Sequence, residues 1–220
     1  MGCQSDSPRT LQHTLDEFEQ ELLLLFPDYA AAMGQEDATE ILILPTVERL
    51  ARELDFCKKY ERVFNNFSDF PETPDLNDQR KEKLEILNGM ILRMTGQQSP
   101  TNNPAYYDVY PALARRIFQI KNKQSDGVER LEFTLRKVPA YFALAKKNLQ
   151  NPDLEQTAKA IQQQKKSIDF LSGTVVDTVD EVIAIEARKR LEKARHNAIL
   201  AAKDYHGFCN SIWVELKKLE

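Results

Sequence analysis

The sequence predicts an all-α protein, a bundle of six to seven helices. Three observations indicate this fold. Only 7 of the 220 residues are glycine, whereas Leu, Ala, Glu, Lys and Gln, which favour helices, are abundant. Apolar residues recur at spacings of three and four over most of the chain, which is typical of helices with one buried face. Prolines and short polar stretches separate these periodic segments and mark helix ends.

A central helix is predicted from Asp126 to Pro152, where apolar residues keep the helical period. Asp126 and Glu129 are placed to cap its first turn. Pro139 lies in the middle of this segment and has no N–H to donate to the carbonyl group of Leu135. We therefore expect a kink at Pro139, at a cost of about 3 kcal/mol or more unless neighbouring elements pack against it.

The remaining segments complete the bundle around this helix. Residues 1–10 are polar and predict a disordered tether, and 11–220 predict a single helical domain with a possible sub-boundary in the loop 96–103. Asn103-Pro104 is a favourable start for a fourth helix, since Asn caps and Pro tolerates the first position. The other helices before and after the central one are predicted at 11–26, 46–67, 76–94 and 152–171.

The last helix is predicted to be the longest. Thr178 to Glu181 form a capping box that opens about forty residues without proline. At 1.5 Å per residue such a helix extends about 60 Å. Gly207 is the one position where we expect that it could break. Alanines along its apolar face predict close packing against the Pro139 helix or its successor.

Composition limits the partners. Hydrophobic residues make up 42% and charged residues 29% of the chain, a balance typical of globular proteins. The formal net charge is −4, which argues against nucleic acid as a partner. No apolar run approaches the roughly 20 residues that span a bilayer.

Of the three cysteines, Cys3 is the informative one. It follows Gly2 and precedes a polar run, which resembles the start of a mature bacterial lipoprotein whose signal segment has been removed. We therefore predict lipid attachment at Cys3 and a lipid-anchored, extracytoplasmic location on a bacterial membrane; the alternative is an ordinary exposed cysteine in a leader. The start methionine in place of an apolar segment indicates a piece prepared for expression. A bridge between Cys57 and Cys209 is possible but cannot be read from the sequence.

No residue pattern indicates catalysis or metal binding. None of the three histidines precedes a glutamate, and the nearest thiol–imidazole pair, His206 and Cys209, lies with its cysteine on the apolar face of the last helix. The sequence does offer a partner surface, formed by aromatic and basic residues around the fourth helix, although core packing and solvated surface are the simpler interpretation. Its members are Tyr106, Tyr107, Tyr110, Arg115 and Arg116.

Several short motifs resemble a bacterial family catalogued as domain of unknown function 885. They occur in the family's order and cover most of residues 11–172. They are Pro27-Asp-Tyr-Ala30 with Gly34, Asn103-Pro-Ala-Tyr-Tyr107, Arg130-Leu131, Val138-Pro139, Ala145-Lys-Lys-Asn148-Leu149, Asn151-Pro152 and Ala160-Ile161.

This resemblance implies a function for the parent protein. Members of that family are typically longer, all-helical and similar to zinc carboxypeptidases, with a His-Glu-x-x-x-Gly-His type signature in their C-terminal half. The chain then resembles the non-catalytic N-terminal portion of such a protein, with no catalytic residue, metal or cofactor of its own. Its partner is the C-terminal part of the same parent polypeptide, whose substrate cleft it helps to wall. The alternative is a self-contained helical binding protein at the bacterial cell surface.

Overall fold

The structure is a computed structural model that describes residues 8–32, 42–69, 73–123, 126–180, 182 and 184–219. Within these ranges the chain forms nine α-helices and two short 3-10 helices, and no strand. Seven of the α-helices have twelve residues or more, so the prediction of an all-α bundle of six to seven helices is confirmed. The α-helices are α1 (Pro8–Leu25), α2 (Pro27–Ala32), α3 (Val47–Asn65), α4 (Pro74–Met94), α5 (Tyr110–Lys121), α6 (Gly127–Asn148), α7 (Leu154–Ser172), α8 (Thr174–Asp180) and α9 (Ile185–Lys217), and the 3-10 helices are Gly96–Gln98 and Pro104–Tyr106.

The chain divides into two compact units. The first comprises Met1–Ala38 and Val47–Gly96, and the second comprises Thr39–Thr46 and Gln97–Glu220. A division into two compact units does not show whether each unit folds on its own. The single domain predicted for residues 11–220 therefore stays a prediction. Helix α1 already begins at Pro8; the rest of the predicted tether lies outside the described residues.

The first unit is built around aromatic rings from α1 and α3. Phe18 stacks on Phe56 with ring centroids 5.6 Å apart and meets the ring of Phe64 edge-on at 5.4 Å. Arg80 of α4 covers the end of α3, because its Nη1 donates hydrogen bonds of 2.9 Å to the carbonyl oxygens of both Phe64 and Phe67. This guanidinium group satisfies carbonyls that a helix end otherwise leaves without partners.

In the second unit, α6 and α7 both pack against α9, as the alanine pattern predicts. Ala194, Ala198 and Ala202 of α9 are at most 5% exposed. Two ion pairs, Arg190 with Glu132 and Lys146 with Asp204, join α9 to α6, and both span 58 positions. Because the spacing is the same, α6 and α9 run in the same direction.

Helix α6 contains Pro139 and continues through it from Gly127 to Asn148. Its first residue also explains how α5 and α6 approach each other. A Cβ atom at Gly127 would lie 2.9 Å from Cγ1 of Ile120, so a larger residue would push the two helices apart.

One expectation about the last helix is wrong. Thr178 does not open it, because this residue lies in α8 and its hydroxyl group donates to the carbonyl of Thr174. The long helix α9 begins at Ile185, with Ala184 as its N-cap. It also passes through Gly207 without a break. None of the described helices combines the length and the apolar character that crossing a bilayer requires.

Candidate functional site

The segment 99–109, which leads into α5, is buried in the core of the second unit. We call it the clasp loop. Tyr107 and Val109 have no exposed area, and Ser99 and Asn103 are 6% exposed. Loops normally lie at the surface, since a buried loop must satisfy its backbone polar groups within the protein. The partners of these groups therefore show what the loop does.

Two carbonyl groups of the clasp loop bind the connection between α6 and α7. The carbonyl oxygen of Thr101 accepts from the backbone N–H groups of Gln150 and Asn151, at 2.8 and 3.2 Å. The carbonyl oxygen of Asn102 accepts from the N–H of Asp153 at 3.1 Å. These bonds fix the turn between the two helices to the loop.

Side chains from the loop, α7 and α9 satisfy three further carbonyls. The hydroxyl group of Tyr205 donates to Pro104 at 3.0 Å, and Nε2 of Gln164 donates to Tyr107 at 2.9 Å. The hydroxyl group of Tyr107 itself donates to Pro100 at 2.8 Å. The clasp loop is thus bonded to α7, α9 and the α6–α7 connection.

Two asparagines from the family-like motifs also bond to backbone. Oδ1 of Asn103 accepts from the N–H of Ala105 at 2.9 Å and caps the 3-10 helix. Nδ2 of Asn148 donates to the carbonyl of Pro45 at 2.7 Å. Asn148 is only 5% exposed. In this chain the motifs around Asn103 and Asn148 therefore have a structural role.

Aromatic rings surround the loop. Tyr205 stacks on Phe142 with ring centroids 4.7 Å apart, and Tyr107 meets Tyr205 and Tyr141 edge-on at 6.3 and 6.0 Å. Burial raises the pKa of Tyr107 to about 12, and it raises the pKa of Tyr205 as well. Neither phenol ionises near neutral pH, so neither is suited to act as a base or nucleophile.

Asp108 is a half-buried acid of the clasp loop. Its Oδ1 accepts from the N–H of Tyr110 at 2.9 Å and lies 3.5 Å from the hydroxyl oxygen of Ser167. Burial raises the pKa of this carboxyl group, and the hydrogen bonds from Tyr110 and Ser167 partly offset the effect. Its contacts place it at the start of α5, where an acidic side chain stabilises the first turn.

A buried arginine joins α5 to α6. Arg116 has no exposed area; its Nε donates to Oγ1 of Thr134 at 3.2 Å and its Nη1 donates to Oε1 of Gln119 at 2.7 Å. Burial, with a smaller contribution from the nearby Arg130, lowers the pKa of Arg116 to about 10. This arginine is part of the core.

Two of the five residues of the predicted partner surface are buried. Tyr107 and Arg116 lie in the core, and a side chain with no exposed area cannot contact a partner, so both are removed from it. Tyr106, Tyr110 and Arg115 are half-buried. For Tyr107 the simpler interpretation, core packing, holds. The fourth helix was predicted to begin at Asn103-Pro104, whereas a separate 3-10 helix lies there and α5 begins at Tyr110.

The cysteines of the described residues are free thiols. Cys57 and Cys209 are both fully buried and unbridged. Burial raises the pKa of Cys57 to about 12 and that of Cys209 to about 11. His206 contacts the side chain of Asn210 at 3.1 Å. A buried, protonated thiol is inert, so Cys209 does not suit nucleophilic catalysis.

Other reactive arrangements are equally limited. In the described ranges, no group of three or more His, Cys, Asp and Glu side chains could hold a metal ion. The first unit has an open groove of about 430 Å³ between α1 and α3, with Phe56 and several charged residues along it. Two of those charges are already in ion pairs: Arg49 with Glu53 at 2.5 Å, and Glu21 with Lys59 at 3.0 Å. Cys3, the predicted lipid site, lies outside the described residues.

The protein is an all-α bundle. In its second unit a buried loop, the clasp loop, bonds to α7, to α9 and to the α6–α7 connection. No family model and no curated protein matches the chain. Among solved structures, it is similar to a candidate lipoprotein of unknown function from Shewanella oneidensis, with a TM-score of 0.81 and 20% sequence identity. The match covers 94% of this chain and 38% of that one. The chain therefore spans about two fifths of the length of its structural relative, and the likeness shows a shared fold.

Proposed function

We propose that this chain is the non-catalytic N-terminal helical region of a bacterial extracytoplasmic lipoprotein, anchored by a lipid on Cys3. The observation that carries the proposal is the fold likeness over 94% of the chain to part of a longer candidate lipoprotein. The position of Cys3, next to a glycine and before a polar run, supports the same anchor independently.

The partner in this proposal is the C-terminal part of the same polypeptide. The family-like motifs imply that this part supplies zinc-peptidase-like chemistry and that the helical region packs on it and walls one side of its cleft. Support comes from the chemistry of the described residues. Asn103 of the clasp loop and Asn148 of α6, both motif residues, bond to backbone, and the two described thiols are buried and protonated. Reactive groups would then come from the partner.

Charge alone would not hold the first unit at an anionic membrane. The first unit contains 10 lysines and arginines and 18 aspartates and glutamates, a formal charge of −8, whereas the second contains 20 and 16, a formal charge of +4. The unit that follows Cys3 is therefore acidic. An anionic membrane surface repels such a unit, so stable attachment needs the acyl chain.

The test is metabolic labelling of the natural protein in its bacterium with an alkyne analogue of palmitate. We expect labelled protein in the membrane fraction, and we expect Cys3→Ser to lose the label and become soluble. Cys57→Ser, which removes a buried thiol, is the matched control and should keep the label. An unlabelled natural protein, or equal labelling of Cys3→Ser, would refute the anchor.

Metal analysis tests the non-catalytic assignment. The chain of 220 residues should bind no stoichiometric zinc after exposure to excess zinc and desalting. Zinc bound at one equivalent by side chains of a single chain would overturn the assignment.

A further inference from the structure

Helices α5 and α6 form a hairpin that is strongly basic, although the chain as a whole is acidic. Residues 110–148 contain nine lysines and arginines but only three aspartates and glutamates, a formal charge of +6, whereas the whole chain carries −4. Two of the acids, Asp126 and Glu132, are in ion pairs with arginines of α6, and the third, Glu129, is exposed. Positive charge is therefore concentrated on these two helices.

The same hairpin carries two exposed aromatic rings. Phe118 of α5 is 64% exposed and Phe133 of α6 is 49% exposed. No other aromatic side chain that the structure describes is exposed to this extent. A single apolar side chain at a surface is ordinary, whereas a group of them in one place is typical of an interaction site. The positions of the two rings therefore matter.

The two rings lie at about the same level of the hairpin. Nε of Arg116 donates to Oγ1 of Thr134 at 3.2 Å, and Ile120 closely approaches Gly127. The later residue of α5 thus meets the earlier residue of α6, so the helices run antiparallel. The exposed ring of α5 lies midway between its two contact residues, and that of α6 directly precedes Thr134. Because one side of the hairpin is buried in the core, both exposed rings lie on the other side.

Basic side chains flank each ring at the spacing of one helical turn. In α5 they lie three residues before and three residues after the ring, and in α6 they lie three and four residues after it, which places them on the same helix face. Nζ of Lys137 lies 4.5 Å from the centroid of the Phe133 ring. We call this set the basic-aromatic face. Its members are Arg115, Phe118, Lys121, Phe133, Arg136 and Lys137.

We propose that the basic-aromatic face is a membrane-binding surface for anionic phospholipid. Phenylalanine rings enter the boundary between headgroups and acyl chains while basic side chains stay with the phosphate groups, a combination typical of helices that lie on membranes. Each Lys or Arg near such a surface strengthens binding about fivefold. The inference rests on the proposed function for its location, since a lipid and a basic patch act as two anchoring signals.

Two features favour lipid over other occupants. The charge of +6 on residues 110–148 favours an anionic surface over an apolar one. Nucleic acid is also anionic, but the phosphate backbone of a duplex offers two exposed phenylalanine rings no apolar partner.

Vesicle co-sedimentation of the unlipidated Cys3→Ser chain tests the inference. The vesicles contain one part phosphatidylglycerol to two parts phosphatidylcholine, or phosphatidylcholine alone. We expect binding to the anionic vesicles that weakens with added salt, and little binding to the neutral ones. The double variant Phe118→Ser with Phe133→Ser should bind at least about tenfold more weakly. Lys121→Gln with Arg136→Gln should also bind at least about tenfold more weakly.

The matched control is Leu92→Ser with Leu200→Ser, which removes two apolar side chains that are 65% and 52% exposed on α4 and α9. It should bind like the parent chain. A second readout does not depend on a loss of binding. Phe118→Cys carrying an environment-sensitive dye should shift its emission to the blue on anionic vesicles, whereas Leu200→Cys with the same dye should not. The cysteines Cys57 and Cys209 are buried and do not compete for the dye.

Three results would overturn the inference: no binding to anionic vesicles, an equal loss in the leucine and phenylalanine variants, or a dye at position 118 that stays in water. Tighter binding to a DNA duplex than to the anionic vesicles at the same salt concentration would assign the charge to nucleic acid instead. All of these results leave the anchor on Cys3 standing, because its labelling test does not depend on vesicle binding. Loss of the anchor in that test would equally leave the vesicle result unchanged.

Discussion

The hydroxyl group of Tyr205 donates a hydrogen bond to the carbonyl oxygen of Pro104, 3.0 Å away and 101 positions earlier in the chain. The ring of Tyr205 also stacks on Phe142 of α6, with centroids 4.7 Å apart. One side chain of α9 thus holds both the clasp loop and α6. Formation of the loop and docking of the last helix are therefore coupled in the second unit.

Tyr205→Phe should destabilise the second unit by about 0.5–1.5 kcal/mol, because the ring is kept while the buried carbonyl of Pro104 loses the hydroxyl donor and keeps only the 3.3 Å bond from the N–H of Tyr107. The measurement is urea unfolding followed by the fluorescence of Trp213, the single tryptophan of the chain, which reports on this unit. Tyr110→Phe is the control, since Tyr110 is half-buried whereas Tyr205 has no exposed area, and it should change stability by no more than about 0.5 kcal/mol. Equal effects of both changes would contradict the role of the Tyr205 hydroxyl group.

Gly207→Ala should stabilise the second unit by about 0.5–1 kcal/mol. Gly207 lies inside α9, and a Cβ atom there meets no atom within 4 Å, so alanine adds helix propensity without a clash. Gly96→Ala gives a matched change of opposite sign, because Gly96 has φ of +60° and alanine is strained in that conformation. Thermal unfolding of both variants checks the prediction. A loss of stability in Gly207→Ala would mean that α9 bends or breaks at this residue.

Native protein should expose few reactive thiols. Burial raises the pKa of Cys57 to about 12 and that of Cys209 to about 11, so both stay protonated and covered at pH 8. Titration with a disulfide reagent should modify neither of them within minutes in buffer and both in urea. A Cys3→Ser background removes the third cysteine from the measurement. Rapid modification in buffer would contradict the buried positions.

Asp108 should make stability depend on pH. Burial raises its folded-state pKa above the ordinary value of 3.8, so its contribution is fully present below that value and is lost as pH rises through the folded pKa. Asp108→Asn keeps an oxygen acceptor for Tyr110 and carries no charge. Relative to the natural chain, the Asn variant should therefore gain stability between about pH 4 and about pH 7, measured by urea unfolding. An Asn variant that loses relative stability over this range would show that the fold stabilises the charged carboxylate.

The fold class could be predicted because helical periodicity is a local signal. Val138 and Phe142 keep the period of α6 on either side of Pro139, and the structure continues the helix through this proline. Helix ends were harder to predict. Residues Thr178 to Glu181 have the residue types of a capping box. However, Thr178 lies within α8, and its hydroxyl group donates to the carbonyl of Thr174. A capping pattern does not show to which of two consecutive helices it belongs.

The burial of the clasp loop could not be predicted from its composition. Its serine, prolines, asparagines and aspartate are typical of surface turns. The partners of its carbonyls, such as Gln164 and Tyr205, lie about 60 to 100 positions away. The burial of Arg116 is a similar case. Arginine is rarely fully buried. Here Arg116 is satisfied by the tertiary contact with Thr134 of α6 and by the local bond to Gln119 within α5.

The most direct test of the central proposal is mass spectrometry of the natural protein purified from bacterial membranes. We predict a polypeptide substantially heavier than the 25.4 kDa of this chain, whose first residue is Cys3 carrying acyl groups. A polypeptide of about 25 kDa that carries no lipid would contradict both the anchor and the larger parent.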